Sequence, residues 1–208
     1  MTDDLITKIE KWDNKVFLGV YKHDLLKRSF IRRFAKVYSF FGNMYFWGVF
    51  WLALWFYGYI FMDFFPLALI TGGFFQSIVI HVIIRYKIVA RNRPFVTLED
   101  QGVESHDELI KETKSFPSGH VAFFLFFGYL ISFCFNQYFW EILSIFILLD
   151  IVMAITRMIL GVHYPTDVIF GFVFGFVYAL LYYITHIYWV MFFYWLGRIF
   201  LFIVYYIF

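Results

Sequence analysis

Three short polar segments of an otherwise apolar chain carry the residue types that could do chemistry. Their candidate site residues are Lys87 and Arg93 in the first segment, Ser118, Gly119 and His120 in the second, and Arg157, His163 and Asp167 in the third. Fixed cations beside the free N–H groups of a helix N-terminus bind oxyanions, and phosphate is the commonest of these. The sequence therefore predicts a phosphate site to which all three segments contribute.

The arginines and the small residues have separate predicted roles in this site. Arg93 and Arg157 can each hold two phosphate oxygens with the planar fork of the guanidinium. Ser118 and Gly119 are predicted to begin a helix whose positive end faces the anion. The glycine allows the backbone to approach the anion closely.

Two histidines beside a phosphate suggest a nucleophile and a general acid. His163 and Asp167 are four residues apart around Pro165, a residue type favoured in the first turn of a helix. This spacing allows the carboxylate to accept a hydrogen bond from Nδ1 of His163, which leaves Nε2 free to attack phosphorus. His120 is then predicted to protonate the leaving alcohol.

The rest of the chain predicts an integral membrane protein that positions these residues. Of 208 residues, 62% are hydrophobic and only 15% are charged, against about 25% charged in ordinary soluble domains. Residues 44–62 and 64–84 contain no Asp, Glu, Lys or Arg. This composition excludes a soluble domain, a disordered chain and a disulfide scaffold, since Cys134 is the single cysteine. The net charge of +2 gives no reason to expect nucleic acid as a partner.

The predicted fold is an all-α bundle of about six transmembrane helices. The candidate spans, judged against the ~20 residues needed to cross a bilayer, are 40–62, 64–84, 118–135, 138–156, 166–185 and 187–208. Turns are predicted at Asp63, at Asn136-Gln137 and at Thr185-His186, and one long polar loop at 87–117. Counting crossings places the three polar segments and both termini on the same membrane face.

Residues 1–37 form a separate amphipathic segment, and the transmembrane domain is predicted to cover 38–208. Apolar residues recur in the segment at helical spacing without a run long enough to span, which is typical of helices lying in the membrane interface. The segment also contains nine basic residues: Lys8, Lys11, Lys15, Lys22, Lys27, Arg28, Arg32, Arg33 and Lys36. The opposite turns contain none, so the positive-inside rule favours a cytoplasmic site face. The opposite orientation stays open, because a phosphate site needs cations on either face and a basic amphipathic helix binds anionic lipid on both.

The motifs resemble those of the type 2 phosphatidic acid phosphatase superfamily, whose site is related to that of the vanadium haloperoxidases. The family pattern is Lys-x6-Arg-Pro, Pro-Ser-Gly-His and Ser-Arg-x5-His-x3-Asp. The chain matches it at Arg93-Pro94, at 117–120 and at Arg157-x5-His163-x3-Asp167. Thr156 replaces the usual serine. Only five residues separate Lys87 from Arg93, so Arg91 or Arg85 could take the place of Lys87.

The resemblance implies a role for each matched residue. His163 is the nucleophile, Asp167 orients it, and His120 is the general acid. The implied phosphate ligands are Lys87, Arg93, Ser118, Gly119 and Arg157. The family works through a phosphohistidine and needs no metal or other cofactor. The implied partners are the bilayer and a phosphorylated lipid of a bacterial inner membrane.

The sequence leaves the substrate and two other functions open. Phosphatidic acid, phosphatidylglycerophosphate, undecaprenyl diphosphate and lipid A phosphates all occur as substrates in the family. A lipid phosphotransferase could use the same residues, and a non-enzymatic lipid binder or transporter could use the same helices. His81, Asp150 and Arg198 lie within predicted spans, where ionisable groups are functional candidates, but a structural role explains each of them equally well.

Overall fold

The computed structural model describes residues 2–88 and 91–207. These residues form helices, turns and one long loop; no β-strand occurs among them, and Asn92 and Lys114 pair only as an isolated bridge. The α-helices are α1 (Thr2–Tyr21), α2 (Ser29–Ser39), α3 (Met44–Phe61), α4 (Phe65–Ile83), α5 (Pro94–Thr97), α6 (Gly119–Cys134), α7 (Phe139–Ile159) and α8 (Pro165–Ile207). The predicted all-α class is confirmed.

The bundle is built around the short apolar helix α6. In the described chain, four helical segments are long and apolar enough to cross a membrane: Met44–Phe61, Phe65–Lys87, Asn136–Ile159 and Pro165–Phe200. α6 has 16 residues and is about 24 Å long. It packs against α4, α7 and α8, and Val121, Ala122, Phe126 and Leu130 are completely buried. Because protein surrounds α6 on several sides, it does not need the length of a lipid-facing span.

The predicted turn at Thr185-His186 is wrong, because α8 continues without interruption through both residues. The hydroxyl of Thr185 donates to the carbonyl of Leu181 one turn earlier, at 2.9 Å, and it also bonds Gln76 at 2.6 Å. These partners satisfy the hydroxyl of Thr185 inside the helix, and neither Thr185 nor His186 is a helix breaker. The predicted spans 166–185 and 187–208 are therefore parts of one helix, and the count of six spans is not supported.

The continuous helix also changes the position of the C-terminus. α8 has 43 residues and is about 65 Å long, roughly twice the hydrocarbon thickness of a bilayer. It runs antiparallel to α4, since Tyr178 contacts His81 near one end of α4 and Gly197 lies beside Phe64 at the other. The end of α8 is therefore on the side of the α3–α4 turn, opposite the site, and the prediction that both termini share the site face is wrong.

Two glycines bring the beginnings of α6 and α8 together. A Cβ on Gly171 would lie 2.9 Å from Cβ of Val121, and a Cβ on Gly175 would lie 3.0 Å from the carbonyl oxygen of Ala122. The Gly-x3-Gly pattern thus permits the close helix packing expected of small residues in membrane helices. It fixes the N-terminal ends of α6 and α8, which carry two of the three polar segments.

The long loop folds back over the α7–α8 connection. Gly161 has a φ of 78°, and a Cβ at this position would lie 2.3 Å from the carbonyl oxygen of Glu104. Glycine is therefore required both by the left-handed backbone and by the close approach of the loop. The backbone N–H of His106 donates to the carbonyl of Leu160 at 2.9 Å and anchors the same contact. The loop closes one side of the site.

The N-terminal helices α1 and α2 pack against the bundle on the site side. Phe17 and Tyr21 of α1 join an apolar cluster with Leu98, Val103 and Tyr164, and α2 packs against α7. Their remaining faces expose large apolar side chains: Leu5, Ile6, Ile9 and Trp12 on α1, and Phe30, Phe34 and Val37 on α2. Two amphipathic helices therefore occupy this region; their location in the membrane interface and the boundary at residue 37 stay predictions.

Candidate active site

Arg93 and His163 are joined by a direct hydrogen bond at the centre of the site. Nη1 of Arg93 lies 3.0 Å from Nε2 of His163. A guanidinium has donors and no acceptor, so Nε2 must be the acceptor and the ring proton lies on Nδ1. The arginine is fixed by its other bonds, to the carbonyls of Val162 at 3.0 Å and Glu112 at 2.8 Å. The lone pair of His163 therefore faces a held cation.

The surroundings keep His163 neutral and Arg93 charged. Burial, with the neighbouring charges of Arg93 and Arg157, holds the pKa of His163 well below its usual value of 6.5. Burial and the nearby charges of Arg85 and Arg157 lower the pKa of Arg93 to about 9. At neutral pH the site thus contains an uncharged imidazole next to fixed positive charge, and an anion would relieve the repulsion among the cations.

Asp167 lies behind His163, on the side of Nδ1. Its Oδ2 is 3.6 Å from Nδ1 of His163 and accepts a hydrogen bond of 2.8 Å from the backbone N–H of Tyr164. The four-residue spacing therefore places the carboxylate on the predicted side of the ring. The separation is longer than a hydrogen bond, and Nδ1 of His163 has no partner among the described residues.

The beginning of α6 presents polar atoms without partners. Ser118 is fully buried, and its backbone N–H donates to the carbonyl of Asp167 at 2.9 Å, which ties α6 to α8. Oγ of Ser118 and Nε2 of His120 are buried, and neither has a hydrogen-bond partner in the described chain. Buried polar atoms normally have partners, so these two are suited to contact a ligand.

Arg157 is completely buried beneath α2 and the long loop. Its Nη1 donates to the hydroxyl of Ser39 and, at 2.8 Å, to Oδ2 of Asp107. Nε and Nη2 have no partner among the described residues. One edge of the guanidinium is thus anchored, and the remaining donors stay available.

Of the two candidates for the first cation position, Arg85 contacts the beginning of α6 and Lys87 does not. The side chain of Lys87 is exposed and forms no hydrogen bond or ion pair with the described residues. Nη2 of Arg85 donates to the carbonyl of Pro117 at 2.8 Å, and a Cβ on Gly119 would lie 3.5 Å from the same nitrogen. Residues 84–88 form a π-helical turn, which contains one more residue than an α-turn. The family pattern has six residues between its lysine and its arginine, whereas seven residues separate Arg85 from Arg93. The extra residue of the π-helical turn compensates for this difference.

Arg91, the other alternative for this position, lies on the far side of Asp167. Its Nη1 is 3.4 Å from Oδ1 of Asp167, and its Nη2 is 2.6 Å from Oδ2 of Asp13. The guanidinium also lies over the ring of Tyr164, 3.9 Å from its centroid. Arg91 therefore contacts the carboxylate that backs His163.

Several residues of the site carry no signal in the motifs. Ser39 and Asp107, which anchor Arg157, lie far from it in sequence and are visible only in the folded chain. His81 lies one helical turn before Arg85, so helical spacing alone could have placed it on the same face. It is buried, its Nδ1 is 3.0 Å from the hydroxyl of Tyr178, and its Nε2 has no partner in the described residues.

The other ionisable residues of the spans lie apart from the contacts described above. Asp150 is buried, and neither carboxylate oxygen has a hydrogen-bond partner in the described chain; Arg198 is exposed near the end of α8. No group of three or more His, Cys, Asp or Glu residues suited to hold a metal ion occurs in the part of the chain that the structure describes. The cations and donors around His163 suit an anion.

Two solved structures share this fold. LpxE from Aquifex aeolicus is 19% identical, with a TM-score of 0.64 over 82% of this chain and 93% of that one. A transmembrane PAP2-type phosphatidylglycerolphosphate phosphatase from Bacillus subtilis is 16% identical, with a TM-score of 0.65 over 84% of each chain. Comparison with curated protein sequences gives no significant match.

The sequence itself matches the PAP2 superfamily over residues 64–191. This range begins before α4 and ends within α8, and it includes all three polar segments. The apolar spans and the likeness to membrane proteins agree with the predicted membrane location. The chain is therefore an integral membrane protein that belongs to the PAP2 superfamily.

Proposed function

We propose that this protein is a membrane phosphatase that hydrolyses a phosphate ester or diphosphate of a lipid through a phosphohistidine intermediate. The observation that carries the proposal is the neutral His163 with its Nε2 lone pair directed at Arg93. A neutral, oriented imidazole beside fixed cations is what nucleophilic attack on a phosphate requires.

In the first step, Nε2 of His163 attacks phosphorus and the bond to the leaving oxygen breaks. Burial and the neighbouring arginines hold the pKa of His120 well below its usual value. In this proposal the charge of the bound phosphate offsets them, so that His120 is protonated in the complex. The electron pair of the broken bond goes to the leaving oxygen, which takes that proton and departs as the alcohol or lipid phosphate. The imidazole becomes positively charged as the N–P bond forms, and Asp167, 3.6 Å from Nδ1, stabilises that charge. The role parallels that of the aspartate in a hydrolase triad.

In the second step, water resolves the phosphohistidine. Neutral His120 takes a proton from the water as its oxygen attacks phosphorus, and the N–P electron pair returns to His163. Inorganic phosphate leaves, and His120 is protonated again for the next cycle. The same residue thus serves as acid and then as base, as microscopic reversibility requires.

Positive charge and helix N–H groups stabilise the transition state. Arg93, Arg157 and Arg85 surround the site, and Ser118 and Gly119 begin α6, whose free N–H groups add to the field. We assign the first cation position to Arg85 and not to Lys87, because Arg85 contacts the carbonyl of Pro117. In this proposal the cations neutralise the phosphate without a metal ion.

A lipid is the best-supported substrate class. A groove of about 830 Å³ lies between α1 and the beginning of α8, with Ile9, Trp12, Phe116 and Phe170 among its apolar lining residues and Arg91 among its polar ones. Phe116 directly precedes the Pro-Ser-Gly-His segment, so an apolar chain in this groove would lie close to the beginning of α6. The description of the Bacillus subtilis neighbour also names a lipid phosphate as the substrate.

The proposal is tested by phosphate release from purified protein in detergent. We expect release from at least one of phosphatidic acid, phosphatidylglycerophosphate, undecaprenyl diphosphate or a lipid A phosphate, and none from His163→Ala. Asp167→Asn should keep weak activity, because it loosens the imidazole without removing the nucleophile. Quenching the wild-type reaction with alkaline detergent, in which the N–P bond is stable, should trap a phosphoenzyme that is absent from His163→Ala.

Two further assays separate the alternatives. Transfer of the phosphate to an added lipid alcohol, in preference to water, would identify a phosphotransferase. Activity that EDTA abolishes and Mg²⁺ restores would refute the metal-independent mechanism. A protein that binds these lipids but releases no phosphate from any of them would be a binder or a transporter.

A further inference from the structure

A carboxylate from the N-terminal helix is buried against the residues that back the catalytic histidine. Asp13 of α1 is 0% exposed. Its Oδ1 accepts from the backbone N–H of Thr166 at 2.9 Å, and its Oδ2 accepts from the hydroxyl of Thr166 at 2.5 Å. Burial of an ionised carboxylate is costly unless it is paired. Asp13 therefore needs the cation beside it, which is Arg91 at 2.6 Å.

Arg91 connects this carboxylate to Asp167. Its Nη2 pairs with Asp13, while its Nη1 donates to the hydroxyl of Thr166 at 2.6 Å and lies 3.4 Å from Oδ1 of Asp167. The ring of Tyr164 under the guanidinium limits its movement further. One cation is thus shared between two buried carboxylates, with the shorter ion pair to Asp13.

This sharing determines how strongly Arg91 attracts Asp167. If Asp13 lost its charge, Asp167 would be the remaining carboxylate beside the guanidinium, and Oδ1 would be drawn towards Nη1. Oδ2 of the same carboxylate faces Nδ1 of His163 at 3.6 Å. A shift towards Arg91 would therefore move the carboxylate away from the imidazole that it orients.

We propose that Asp13 is a positioning residue of the active site, which acts through Arg91 and Asp167 on His163. The inference rests on the proposed function, because it assigns Asp13 a part in the orientation of the proposed nucleophile. It also makes α1 a component of the catalytic unit. The amphipathic segment is then not a detachable anchor, because it contributes one carboxylate to the wall of the site.

The test compares Asp13→Asn with a matched control on the same helix. Asp4 is exposed and forms an i,i+4 pair with Lys8 at 2.7 Å, so Asp4→Asn removes the same charge from α1 without touching the site. We expect Asp13→Asn to lower kcat by about 10- to 100-fold, as a displaced catalytic group does. KM should change less than about twofold, since the partners of Asp13 are Thr166 and Arg91 and not the proposed phosphate ligands. Asp4→Asn should change neither constant.

The double variant Asp13→Asn/Arg91→Met tests the route through Arg91. Its kcat should equal that of Arg91→Met alone, because residues that act through one another are not additive. Asp13→Glu, which keeps the charge, should recover part of the activity. Thermal unfolding of every variant shows whether the loss in kcat merely follows loss of folded protein.

A nitrogen NMR spectrum of ¹⁵N-histidine-labelled protein provides a readout independent of turnover. Asp13→Asn should shift the Nδ1 signal of His163, assigned by its absence in His163→Gln, and Asp4→Asn should not. An unchanged Nδ1 signal in Asp13→Asn overturns the inference. So does a double variant in which the effects of Asp13→Asn and Arg91→Met on kcat simply add, because Asp13 would then not act through Arg91. Absence of phosphate release from the wild type counts against the proposed function instead, while the Nδ1 shift still decides the role of Asp13.

Discussion

Substitution of Arg85 by alanine is the sharpest test of how the chain fills the first cation position. Arg85 bonds the carbonyl of Pro117 at 2.8 Å and pairs with Glu112 at 3.0 Å. In the proposed site, alanine removes a charged donor from the phosphate, a contact worth about 1.5–3 kcal/mol. Because each 1.36 kcal/mol of activation free energy changes the rate tenfold, kcat/KM should fall by roughly 10- to 150-fold.

The expected cost in stability is smaller than this catalytic effect. Glu112 keeps a second donor, because the hydroxyl of Tyr86 lies 2.5 Å from its Oε1. The Arg85 side chain is 13% exposed and that of Glu112 is 34% exposed. A partly exposed ion pair contributes about 1 kcal/mol, so the Arg85→Ala protein should remain folded. Thermal unfolding in detergent, measured beside the kinetics, separates the two effects.

Lys87→Ala is the matched control, two residues along the same helical turn. Its side chain is exposed, so kcat/KM for lipid phosphate release should stay within about twofold of wild type. Arg85→Lys should be intermediate, because an ammonium group cannot serve Pro117 and Glu112 with the geometry of a guanidinium. A large loss in Lys87→Ala combined with a normal Arg85→Ala enzyme would refute the assignment.

Three further results are expected. The low pKa of His163 keeps the nucleophile neutral, so kcat/KM should fall with acid only as the pH drops through that pKa, well below 6.5; an acid limb centred above 6.5 would contradict this. Gly161→Ala should lower the free energy of unfolding by at least about 1–2 kcal/mol, because Gly161 has a φ of 78° and the added Cβ would lie 2.3 Å from a backbone carbonyl oxygen. Gly19→Ala should not lower it, because the added Cβ meets nothing within 4 Å. In a cysteine-free background, Glu99→Cys and Arg198→Cys should react with an impermeant thiol reagent from opposite sides of the membrane. Labelling of both from the same side would contradict the continuous α8 and favour the turn predicted at Thr185-His186.

The motifs were readable from the sequence because their chemistry depends on residue type and short spacing. The four residues from His163 to Asp167 suffice to place the carboxylate behind the ring, since one helical turn separates them. The membrane class followed equally directly from the composition, because charge-free runs of about 20 residues have few other stable locations. The match to the PAP2 superfamily over residues 64–191 agrees with both interpretations.

Local sequence is ambiguous where the tertiary partners of a residue decide its structure. Thr185 looked like a turn residue, but its hydroxyl is satisfied by Leu181 and Gln76 within the bundle. The resemblance implied Lys87 for the first cation position, with Arg91 and Arg85 as alternatives, because the spacing alone does not show which side chain faces the site. The π-helical turn at 84–88 changes which side chain faces the site.

What the sequence determined by itself was the set of candidate site residues, the all-α membrane class and the meeting of three polar segments at one end of the bundle. Only the tertiary structure decided which cation faces the beginning of α6, where α8 ends, and that Asp13 pairs with Arg91 behind Asp167. The physical reason is that such contacts join residues far apart in the chain. Burial makes each such pairing strong, yet no local sequence pattern indicates which distant residue a buried charged group will pair with.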